Sequence, residues 1–336
     1  MRGWWRQRKP EVTICLSAYQ SERFVDRAVN FARGQTHKRT RILISVDKSS
    51  DNTAAICEAY ARHDPSIEVV HQREHLGWAG NANYLLSRVD TEFYFFYFHD
   101  DIILPQYTEV LLGALREDAS AVSVHCDMDH FGGSEHISFG RTYRGSAAER
   151  LVTFLVAPER GSPLRSLTRR DAVGAIRMPT DAVGGLWANE PYLLQLLAAG
   201  PAIHIPQKLY LRWDQRSGGL TDGWKGMSHA DLLASYRANV ASAIRIIDGA
   251  AGNEADREVM IFCLQANTMH RVWKFERQGR MTAFTRPEAL SPEFSALAVP
   301  AGLAAFPAEV QIWVVRKYES LIKTRAAISK NESWQV

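Results

Sequence analysis

Apolar and polar positions alternate between two periodicities along the first part of the chain. Short apolar, β-branched or aromatic runs are each followed by a stretch in which apolar residues recur every three to four positions. The fourth run is apolar or aromatic throughout, which is typical of a strand buried on both faces. Such repeats predict a parallel sheet covered by helices on both sides. The predicted strands are 12–17, 41–47, 67–71, 93–99 and 121–126, and the predicted helices are about 22–33, 50–63, 82–88 and 105–118.

The remainder of the chain follows a different pattern. Residues 127–221 are less regular, with a helix at 191–199 and a strand pair signal within 202–213. The last stretch has helical periodicity at about 228–247, 254–278 and 308–329. The predicted organisation is therefore a basic segment at 1–10, one α/β domain at 11–225 and a helical region at 226–336.

Composition narrows the class of protein. The chain has 336 residues, of which 46% are hydrophobic and 23% charged, so it can bury a sizeable core. This excludes a disordered, collagen-like or disulfide-scaffold protein. The four cysteines form no C-x-x-C pair and are expected to be reduced, buried thiols. No apolar run approaches the ~20 residues of a membrane span, and the N-terminus lacks the apolar stretch of a secretory signal. We therefore expect a soluble, cytoplasmic protein.

The charge is uneven along the sequence. Residues 1–10 and residues 316–330 each carry a net charge of +4, while the whole chain carries +3, so the body of the protein is slightly acidic. This distribution argues against a nucleic-acid-binding face. It favours contact with an anionic membrane surface, at the inner face of the membrane. The alternative is that the basic ends are simply solvated.

Polar segments follow each of the first four predicted strands. In a parallel α/β sheet, ligands bind at the carboxyl ends of the strands, where these segments meet. Each segment carries hydroxyl, amide or carboxylate groups. The sequence thus predicts a ligand site formed by residues 17–22, 47–53, 75–83 and 99–101.

Missing motifs restrict the ligand. The first segment has no G-x-G-x-x-G, and the chain has no G-x-x-x-x-G-K-[ST], which disfavours dinucleotide binding and a P-loop. A nucleotidyltransferase would need glycine and a basic residue in the first segment, yet residues 17–22 contain neither, and the first basic residue after strand one is Arg23. Carboxylates hold phosphates through a divalent cation, and Asp100-Asp101 suits Mg²⁺ or Mn²⁺. The alternative for this pair is a helix N-cap.

Four of these segments resemble family 2 glycosyltransferases of the GT-A fold. They read Ser-Ala-Tyr-Gln-Ser-Glu, Val-Asp-Lys-Ser-Ser-Asp-Asn-Thr, Gly-Trp-Ala-Gly-Asn-Ala-Asn and Phe-His-Asp-Asp-Ile-Ile-Leu-Pro. They occur in the family's order over roughly residues 12–110. The resemblance weakens through the middle of the chain and does not cover the C-terminal helices. It implies a nucleotide-sugar half at about 11–126 and an acceptor half at about 127–225.

The resemblance also implies roles for individual residues. Asp47 would accept a hydrogen bond from the base or ribose, Asp51 would cap the next helix, and Asp100 would be the metal ligand, with Asp101 beside it. Phe98 replaces the first acid of the family's D-x-D motif, and Ala82 replaces its usual arginine. The nucleotide-binding set implied by the family is Ala18, Tyr19, Glu22, Asp47, Gly77, Asn81, Asn83, His99 and Asp100.

Two later segments resemble the family's acceptor side. Glu190 is the acid nearest the family's general base, and Asp181 is the nearest substitute. The alternative for Glu190 is a first-turn helix residue favoured by the helix dipole. In residues 210–217, Asp214 stands where a histidine often completes the metal shell. Arg212 and Arg216 would offset diphosphate charge, and Trp187, like Trp78 and Trp213, would stack on a sugar or pack in the core.

The segment 125–130 is rich in histidine and acids, but strand alternation sends neighbouring side chains to opposite faces. We therefore expect no dedicated metal site within it, and more readily an acceptor contact by Asp127 or Asp129.

Together these features predict a metal-dependent, inverting glycosyltransferase. Its donor would be a nucleoside diphosphate sugar, UDP- or dTDP-linked rather than GDP-linked, and its acceptor a saccharide or lipid-linked hydroxyl in polysaccharide or glycolipid assembly. Oligomers through the C-terminal helices are also expected. The alternatives are a catalytically silent GT-A domain that binds without transfer and, less favoured, an enzyme that joins nucleotides to sugars.

Overall fold

A computed structural model describes residues 9–133, 135–157, 163–214, 220–277, 287–294 and 299–331. The strands are β1 Val12–Ala18, β2 Thr40–Val46, β3 Ile67–His71, β4 Phe93–Phe98, β5 Ile102–Ile103, β6 Ser123–Phe131, β7 Ile137–Ser138, β8 Leu167–Arg169 and β9 Ala202–Trp213. The α-helices are α1 Val25–Arg33, α2 Thr53–Ala61, α3 Gly77–Ser87, α4 Tyr107–Glu117, α5 Ala147–Val156, α6 Arg170–Val173, α7 Asn189–Ala199, α8 Leu220–Lys225, α9 His229–Ala250, α10 Glu254–Arg277 and α11 Ala308–Asn331.

The strands form one sheet in the order β3-β2-β1-β4-β8-β6-β9-β5, with β7 paired to β6. Strands β1 to β4 are mutually parallel, with Val12 of β1 opposite Thr40 of β2 and Phe93 of β4. Beyond β4 the sheet is mixed, because β8 runs antiparallel to both β4 and β6 while β6 and β9 are parallel. The predicted α/β sheet is confirmed, and its antiparallel additions lie in the half where the sequence pattern is less regular.

Burial explains why β1 and β4 lie in the interior of the sheet, with a neighbouring strand on each side. All residues of β1 except Ser17 are buried, as are the first five residues of β4. Helix α1 packs its buried residues Val25, Ala28, Val29 and Ala32 into the same core. A strand that is apolar on both faces needs cover on both sides, which fixes it inside the sheet.

The structure corrects two predicted elements. The predicted strand pair within 202–213 is one strand, β9, which follows β6 in parallel with a register irregularity opposite Cys126 and Asp127. Pro206 lies in this irregular stretch, where a residue without an N–H cannot join the ladder. Strand β6 continues to Phe131, five residues past the predicted end. Helix α5 and the short strands β5, β7 and β8 were not predicted.

The chain divides into two compact units. Unit 1 comprises Met1–Thr142, Arg160–Met178 and Ala199–Ser217, and unit 2 comprises Tyr143–Glu159, Pro179–Ala198 and Gly218–Val336. Unit 1 holds the whole sheet. The division differs from the predicted boundary after residue 225, because residues 143–159 and 179–198 group with the C-terminal helices.

Unit 2 is helical over its described residues. Helix α5 begins with a capping box, in which Ser146 accepts a hydrogen bond from the Glu149 N–H and the Glu149 side chain accepts one from the Ser146 N–H. Helices α9, α10 and α11 pack with α5. None of the helices in the described ranges has the length and apolar character of a membrane span. The four cysteines of the chain are buried free thiols.

Candidate functional site

An aromatic pair marks the edge where β1 and β2 end. The rings of Tyr19 and His75 lie 4.5 Å apart, centroid to centroid. Tyr19 is 40% exposed and the His75 side chain 52% exposed. Both side chains therefore present ring faces and edges to solvent next to the strand ends. We call Tyr19, His75 and the neighbouring Asp47 the strand-end edge.

Asp47 contacts the segment that carries His75. One oxygen of its carboxylate accepts a hydrogen bond from the Leu76 N–H at 2.7 Å, and the other lies 3.2 Å from Nδ1 of His75. The Asp47 N–H donates to the Ala18 carbonyl, which ties the ends of β2 and β1 together. Asp47 is buried, so in this form it positions the segment that carries His75. Direct contact of Asp47 with a base or ribose stays a prediction.

The two loops at this edge hold a strained backbone. Gln20 has φ 47° and Lys48 has φ 41°, in the left-handed region that residues other than glycine seldom adopt. The Gln20 N–H donates to Ser49 Oγ at 3.0 Å, and the Gln20 side chain donates to Ser50 Oγ at 2.8 Å. Strain of about 1–3 kcal/mol per residue persists only where surrounding contacts enforce it, and it is common at ligand sites.

A second set of hydrogen bonds joins the same two loops. The Glu22 N–H donates to an Asp51 carboxylate oxygen at 2.9 Å, while Oε2 of Glu22 accepts from the N–H and the side-chain amide of Asn52, both at 3.0 Å. Asp51 also accepts from the Thr53 N–H, in line with the predicted role at the start of α2. Glu22 thus shapes the loop, and its predicted contact with the nucleoside stays a prediction.

The residues predicted from the α3 segment are structural in this form. Asn81 is buried and bonds to Ser17 Oγ at 2.8 Å and to the Ser45 carbonyl at 3.1 Å, so it links β1 to β2. Both ends of the Asn83 amide bond to the backbone of Met178. The direct ligand contacts predicted for Asn81 and Asn83 are therefore not supported. Gly77 starts α3 with φ +67°, and Ala18 is buried at the end of β1.

The segment after β4 carries His99 and Asp100. A ring nitrogen of His99 lies 3.0 Å from the Ser17 carbonyl, which fixes the imidazole beside β1. The Arg27 guanidinium donates to the Asp100 carbonyl at 2.8 Å. The same guanidinium lies 5.2 Å from the centre of the Trp213 ring. Asp100 is half-buried at this point of the sheet edge.

Asp101 is the clearest correction to the predicted metal site. It is 2% exposed, and Oδ2 accepts from Nη2 of Arg165 at 2.9 Å and from the Tyr210 hydroxyl at 2.7 Å. Oδ1 accepts from the Trp213 N–H at 3.0 Å. Both oxygens are therefore engaged by protein donors. Burial disfavours the charged form of Arg165, but Tyr210 and Asp101 outweigh it and raise the pKa of this arginine above its usual value.

Arg165 also explains why an aromatic residue stands at position 98. The centre of the Arg165 guanidinium lies 4.7 Å from the Phe98 ring centre, a cation–π contact. Phe98 therefore provides an aromatic surface for Arg165 at the position where the family pattern has an acid. This arrangement leaves Asp100 as the carboxylate in the segment that would hold a divalent cation. A single hard oxygen ligand fits Mg²⁺ or Mn²⁺, which also take ligands from substrate phosphates.

Asp214 lies in a different cluster at the ends of β6 and β9. Its Oδ2 is 2.7 Å from Nδ1 of His130 and 3.9 Å from Nδ1 of His136, and its Oδ1 is 3.4 Å from Nε of Arg212. Burial lowers the pKa of His130 below its usual value, against the opposing effect of Asp214. Burial likewise lowers the pKa of Arg212. Arg216 lies outside the described residues.

The two acids of β6 predicted to contact the acceptor, Asp127 and Asp129, differ in burial. Asp127 is buried and accepts from His204 Nε2 at 2.6 Å and from the Gly140 N–H at 2.9 Å, so an acceptor contact there is not supported. Asp129 is more exposed, with Lys208 3.9 Å away, and its acceptor contact stays a prediction.

In unit 2, the Glu190 carboxylate is likewise bound by other side chains of the protein. It is 4% exposed, its carboxylate pairs with Nη1 of Arg271, and it accepts from the Asn267 amide at 2.9 Å. The Arg271 guanidinium stacks 4.2 Å from the Trp187 ring centre. Trp187 thus packs within unit 2. The Glu190 carboxylate is buried and charge-paired in this form, and its role as the base stays a prediction. Asp181 is exposed.

The sequence interpretation missed His75, Arg27 and Arg165. His75 falls inside a polar segment that the sequence singles out, and only the structure places its ring beside Tyr19. Arg165 precedes β8, a strand that no periodicity indicated, and reaches Asp101 only through the antiparallel pairing of β8 with β4. No local pattern points to this pairing.

Comparison with known proteins finds a family match in the first half of the chain. Residues 13–173 match the family model "Glycosyl transferase family 2". The resemblance drawn from the four motifs is thereby confirmed over the region that carries them.

Two bacterial relatives share part of the chain. A putative glycosyltransferase EpsH of Bacillus subtilis is 27% identical over 172 residues, covering 50% of this chain and 50% of that protein. A putative teichuronic acid biosynthesis glycosyltransferase, TuaG, of the same organism is 29% identical over 115 residues, covering 34% of this chain and 46% of that protein. The chain thus spans half or less of the length of these curated relatives.

A solved structure covers nearly the whole chain. The crystal structure of S. aureus TarS 1-349 in complex with UDP-GlcNAc matches with a TM-score of 0.68 at 15% identity, over 97% of this chain and 93% of that one. The same protein in complex with UDP matches with a TM-score of 0.65. At this level of identity the likeness establishes the GT-A fold.

Proposed function

We propose that this chain, whose residues 13–173 belong to glycosyltransferase family 2, transfers a sugar from a nucleoside diphosphate sugar to a hydroxyl acceptor. The transfer proceeds with inversion at the anomeric carbon and depends on a divalent cation. The acceptor is a saccharide or lipid-linked saccharide in the assembly of a surface polysaccharide or glycolipid. The proposal rests on the family, on the GT-A fold and on the geometry of the strand-end edge.

The strand-end edge is the observation that carries the proposal. Tyr19 and His75 offer exposed rings on which a nucleobase can stack, and base–aromatic stacking contributes about 1–3 kcal/mol. Hydrogen bonds from Gln20 to Ser49 and Ser50 hold the two flanking loops together, although the backbone at Gln20 and Lys48 is strained. The edge lies where the parallel strands end, which is where ligands bind in open α/β sheets.

Charge on the leaving diphosphate needs compensation. Asp100 would hold the cation, and a bound divalent cation supplies positive charge to phosphate oxygens. Arg212 supplies a second positive charge in unit 1, and its half-exposed guanidinium can donate to phosphate oxygens. Asp101 and Arg165 then act as positioning residues, because their bonds fix the end of β9 to the segment that contains Asp100.

An inverting transfer also needs a base that accepts the proton of the acceptor hydroxyl. With Glu190 buried in an ion pair, we assign this role to Asp181, which keeps an exposed carboxylate. A positioned general base typically contributes 10²–10⁴-fold in rate.

The donor can be identified by ligand-dependent stability. UDP and UDP-GlcNAc are ligands of TarS in its solved complexes, and we propose a UDP- or dTDP-linked donor for this chain rather than a GDP-linked one. A ligand at 100 times its Kd stabilises the native state by about 2.7 kcal/mol. Melting temperatures should therefore rise by several degrees with UDP or dTDP in the presence of Mn²⁺. A panel of UDP, dTDP and GDP that leaves Tm unchanged would contradict the proposal.

A second function is favoured by a specific observation. Two acids of the recognised motifs, Asp101 and Glu190, are held in buried ion pairs, and Phe98 replaces a third. A GT-A domain that binds a nucleotide sugar without transferring it would tolerate these changes. Incubating the purified chain with UDP-sugars and measuring UDP release distinguishes the transferase from a domain that only binds. Slow hydrolysis requires a working reaction centre, so UDP release indicates the transferase.

Helix α11 suggests where the protein meets a membrane. Its exposed residues Ile312, Val315 and Ile322 fall within an arc of about 80° on the helix surface. Arg316 and Lys323 lie on the same side, together with one acid, Glu319. An apolar stripe with basic neighbours suits the headgroup region of an anionic bilayer. We propose peripheral contact there, with association between copies as the competing outcome.

Vesicle sedimentation tests the membrane proposal. With phosphatidylglycerol vesicles, Ile312→Glu/Ile322→Glu should bind at least about five-fold more weakly, equivalent to about 1 kcal/mol. Val299→Glu changes an exposed apolar residue elsewhere and serves as the control. Unchanged binding together with a change in molecular mass would instead assign the stripe to self-association.

A further inference from the structure

We propose that Arg27 of α1 is a positioning residue, which fixes the backbone of Asp100 and so raises the affinity of its carboxylate for Mn²⁺ or Mg²⁺. The inference rests on the proposed function, because it concerns the cation that Asp100 would hold. It extends that function by assigning a role to a side chain that lies outside the four motif segments.

Arg27 occupies an unfavourable position within its own helix. It is the third residue of α1, in the first turn, where the helix macrodipole favours acidic side chains such as the neighbouring Asp26. The apolar core contacts of α1 come from other positions, namely Val25, Ala28, Val29 and Ala32. An arginine at this position is therefore explained by the contacts that it makes outside α1.

The guanidinium of Arg27 contacts the turn that follows β4. Its Nη2 donates a hydrogen bond to the Asp100 carbonyl at 2.8 Å. Two other carbonyls of this turn are also held: that of Phe98 accepts from the Asp101 N–H at 3.1 Å, and that of Asp101 accepts from the Tyr97 hydroxyl at 3.0 Å. Arg27 thus holds the carbonyl of the residue whose side chain would bind the cation.

Aromatic rings hold the guanidinium in place. Its centre lies 5.2 Å from the ring centre of Trp213 and 6.0 Å from that of Phe131, at the ends of β9 and β6. The Trp213 ring packs edge to face on Phe24, with centroids 5.2 Å apart. A Cβ at Gly132 would lie 2.2 Å from Nε1 of Trp213, so the ring is closely packed on this side as well. Arg27 therefore links α1 to the ends of three strands.

Fixing the Asp100 backbone favours cation binding. An ion held by one carboxylate has few protein ligands, so its affinity depends on how well that carboxylate is oriented before the ion arrives. The Arg27 guanidinium has donors and no acceptor, so it is not itself a ligand of the cation. It acts through Asp100, and outer-shell partners of metal ligands typically contribute about 10–100-fold in metal affinity.

The competing interpretation is that Arg27 only joins α1 to the sheet. Calorimetric titration of UDP into the full chain, at a series of MnCl₂ concentrations and in EDTA, distinguishes the two. For Arg27→Met we expect the Mn²⁺ concentration that gives half of the gain in UDP affinity to rise about ten-fold, while the Kd for UDP in EDTA changes less than about two-fold. Arg27→Lys keeps the charge and a donor, and should recover most of the wild-type response.

Two further variants complete the test. Arg62→Met removes an exposed arginine that follows α2 and should respond to Mn²⁺ as the wild type does. Trp213→Leu removes the ring beneath Arg27 but keeps the backbone N–H that bonds to Asp101, so its Mn²⁺ response should shift in the same direction as that of Arg27→Met. This variant decides the question if Arg27→Met fails to fold.

A wild-type Mn²⁺ response in Arg27→Met would overturn the proposal, as would an equal loss of UDP affinity with and without Mn²⁺, and either result would leave Arg27 as a structural link. A wild-type protein whose affinity for UDP does not depend on Mn²⁺ would instead contradict the cation on Asp100 in the proposed function, and the role of Arg27 would fall with it. The response of the wild type therefore separates the two failures.

Discussion

Two regions carry acids that the sequence motifs single out, and the structure treats them differently. At the strand ends of unit 1, Asp100 lies half-buried at the sheet edge that also carries the exposed Tyr19 and His75. At the start of α7 in unit 2, Glu190 lies in the interior, paired with Arg271 and bonded to Asn267. The first region offers groups to a ligand, whereas the second uses its acid to hold helices together.

The difference shows what decides whether a motif acid is functional. Asp101 follows Asp100 directly, yet its carboxylate accepts bonds from Arg165, Tyr210 and the Trp213 backbone. A buried arginine makes a neighbouring carboxylate structural, because removing either partner leaves an uncompensated charge. The available role of an acid therefore depends on its partners from distant segments more than on its motif.

The largest effect is expected at Asp101. Asp101→Ala leaves the buried Arg165 without its counter-charge, and we expect a loss of about 3–5 kcal/mol in the free energy of unfolding. Urea denaturation measures this. Asp100→Ala, one position away, should lose less than about 1 kcal/mol, and equal losses in the two variants would contradict the distinction between the neighbours.

Variants of Glu190 and Asp181 test the same distinction, between an ion-paired structural acid and an exposed acid, in unit 2. Glu190→Gln keeps an acceptor for Asn267 but loses the charge opposite Arg271, so we expect about 2 kcal/mol less stability. Asp181→Asn should fold normally, bind donor as the wild type does and lose at least about 10²-fold in turnover. Full turnover in Asp181→Asn would remove this residue as the base.

The smallest effect concerns the strand-end edge. Tyr19→Ala removes one ring of the aromatic pair, and we expect UDP affinity to fall about ten-fold, or about 1.4 kcal/mol, with little change in stability. Tyr19→Phe keeps the ring and should bind nearly as tightly as the wild type. If Tyr19→Ala binds UDP with unchanged Kd, the nucleobase lies elsewhere.

The sequence predicts much of unit 1 and less of unit 2. Strands β1, β2 and β4 carry strong local signals, because strands buried on both faces need continuous apolar runs. The edge strand β3 is also found at 67–71 as expected. The polar segments after these strands are likewise local, so the edge that contains Tyr19 and Asp47 follows from them.

Partners from distant segments escape such local signals. Arg165 is 64 positions from Asp101, and Arg271 is far from Glu190 in sequence, so no periodicity or spacing links these pairs. For the same reason no local pattern predicts that Asp214 lies beside His130 and His136. Local pattern finds candidate acids, and tertiary pairing determines which remain open to a ligand.

Calorimetric titration of UDP into wild type and Asp100→Asn, each with and without Mn²⁺, tests the central claim most directly. If the cation on Asp100 holds the diphosphate, Mn²⁺ should tighten UDP binding at least ten-fold in the wild type and not in Asp100→Asn. An equal gain from Mn²⁺ in both proteins, or none in either, would contradict a donor site at the ends of β1, β2 and β4.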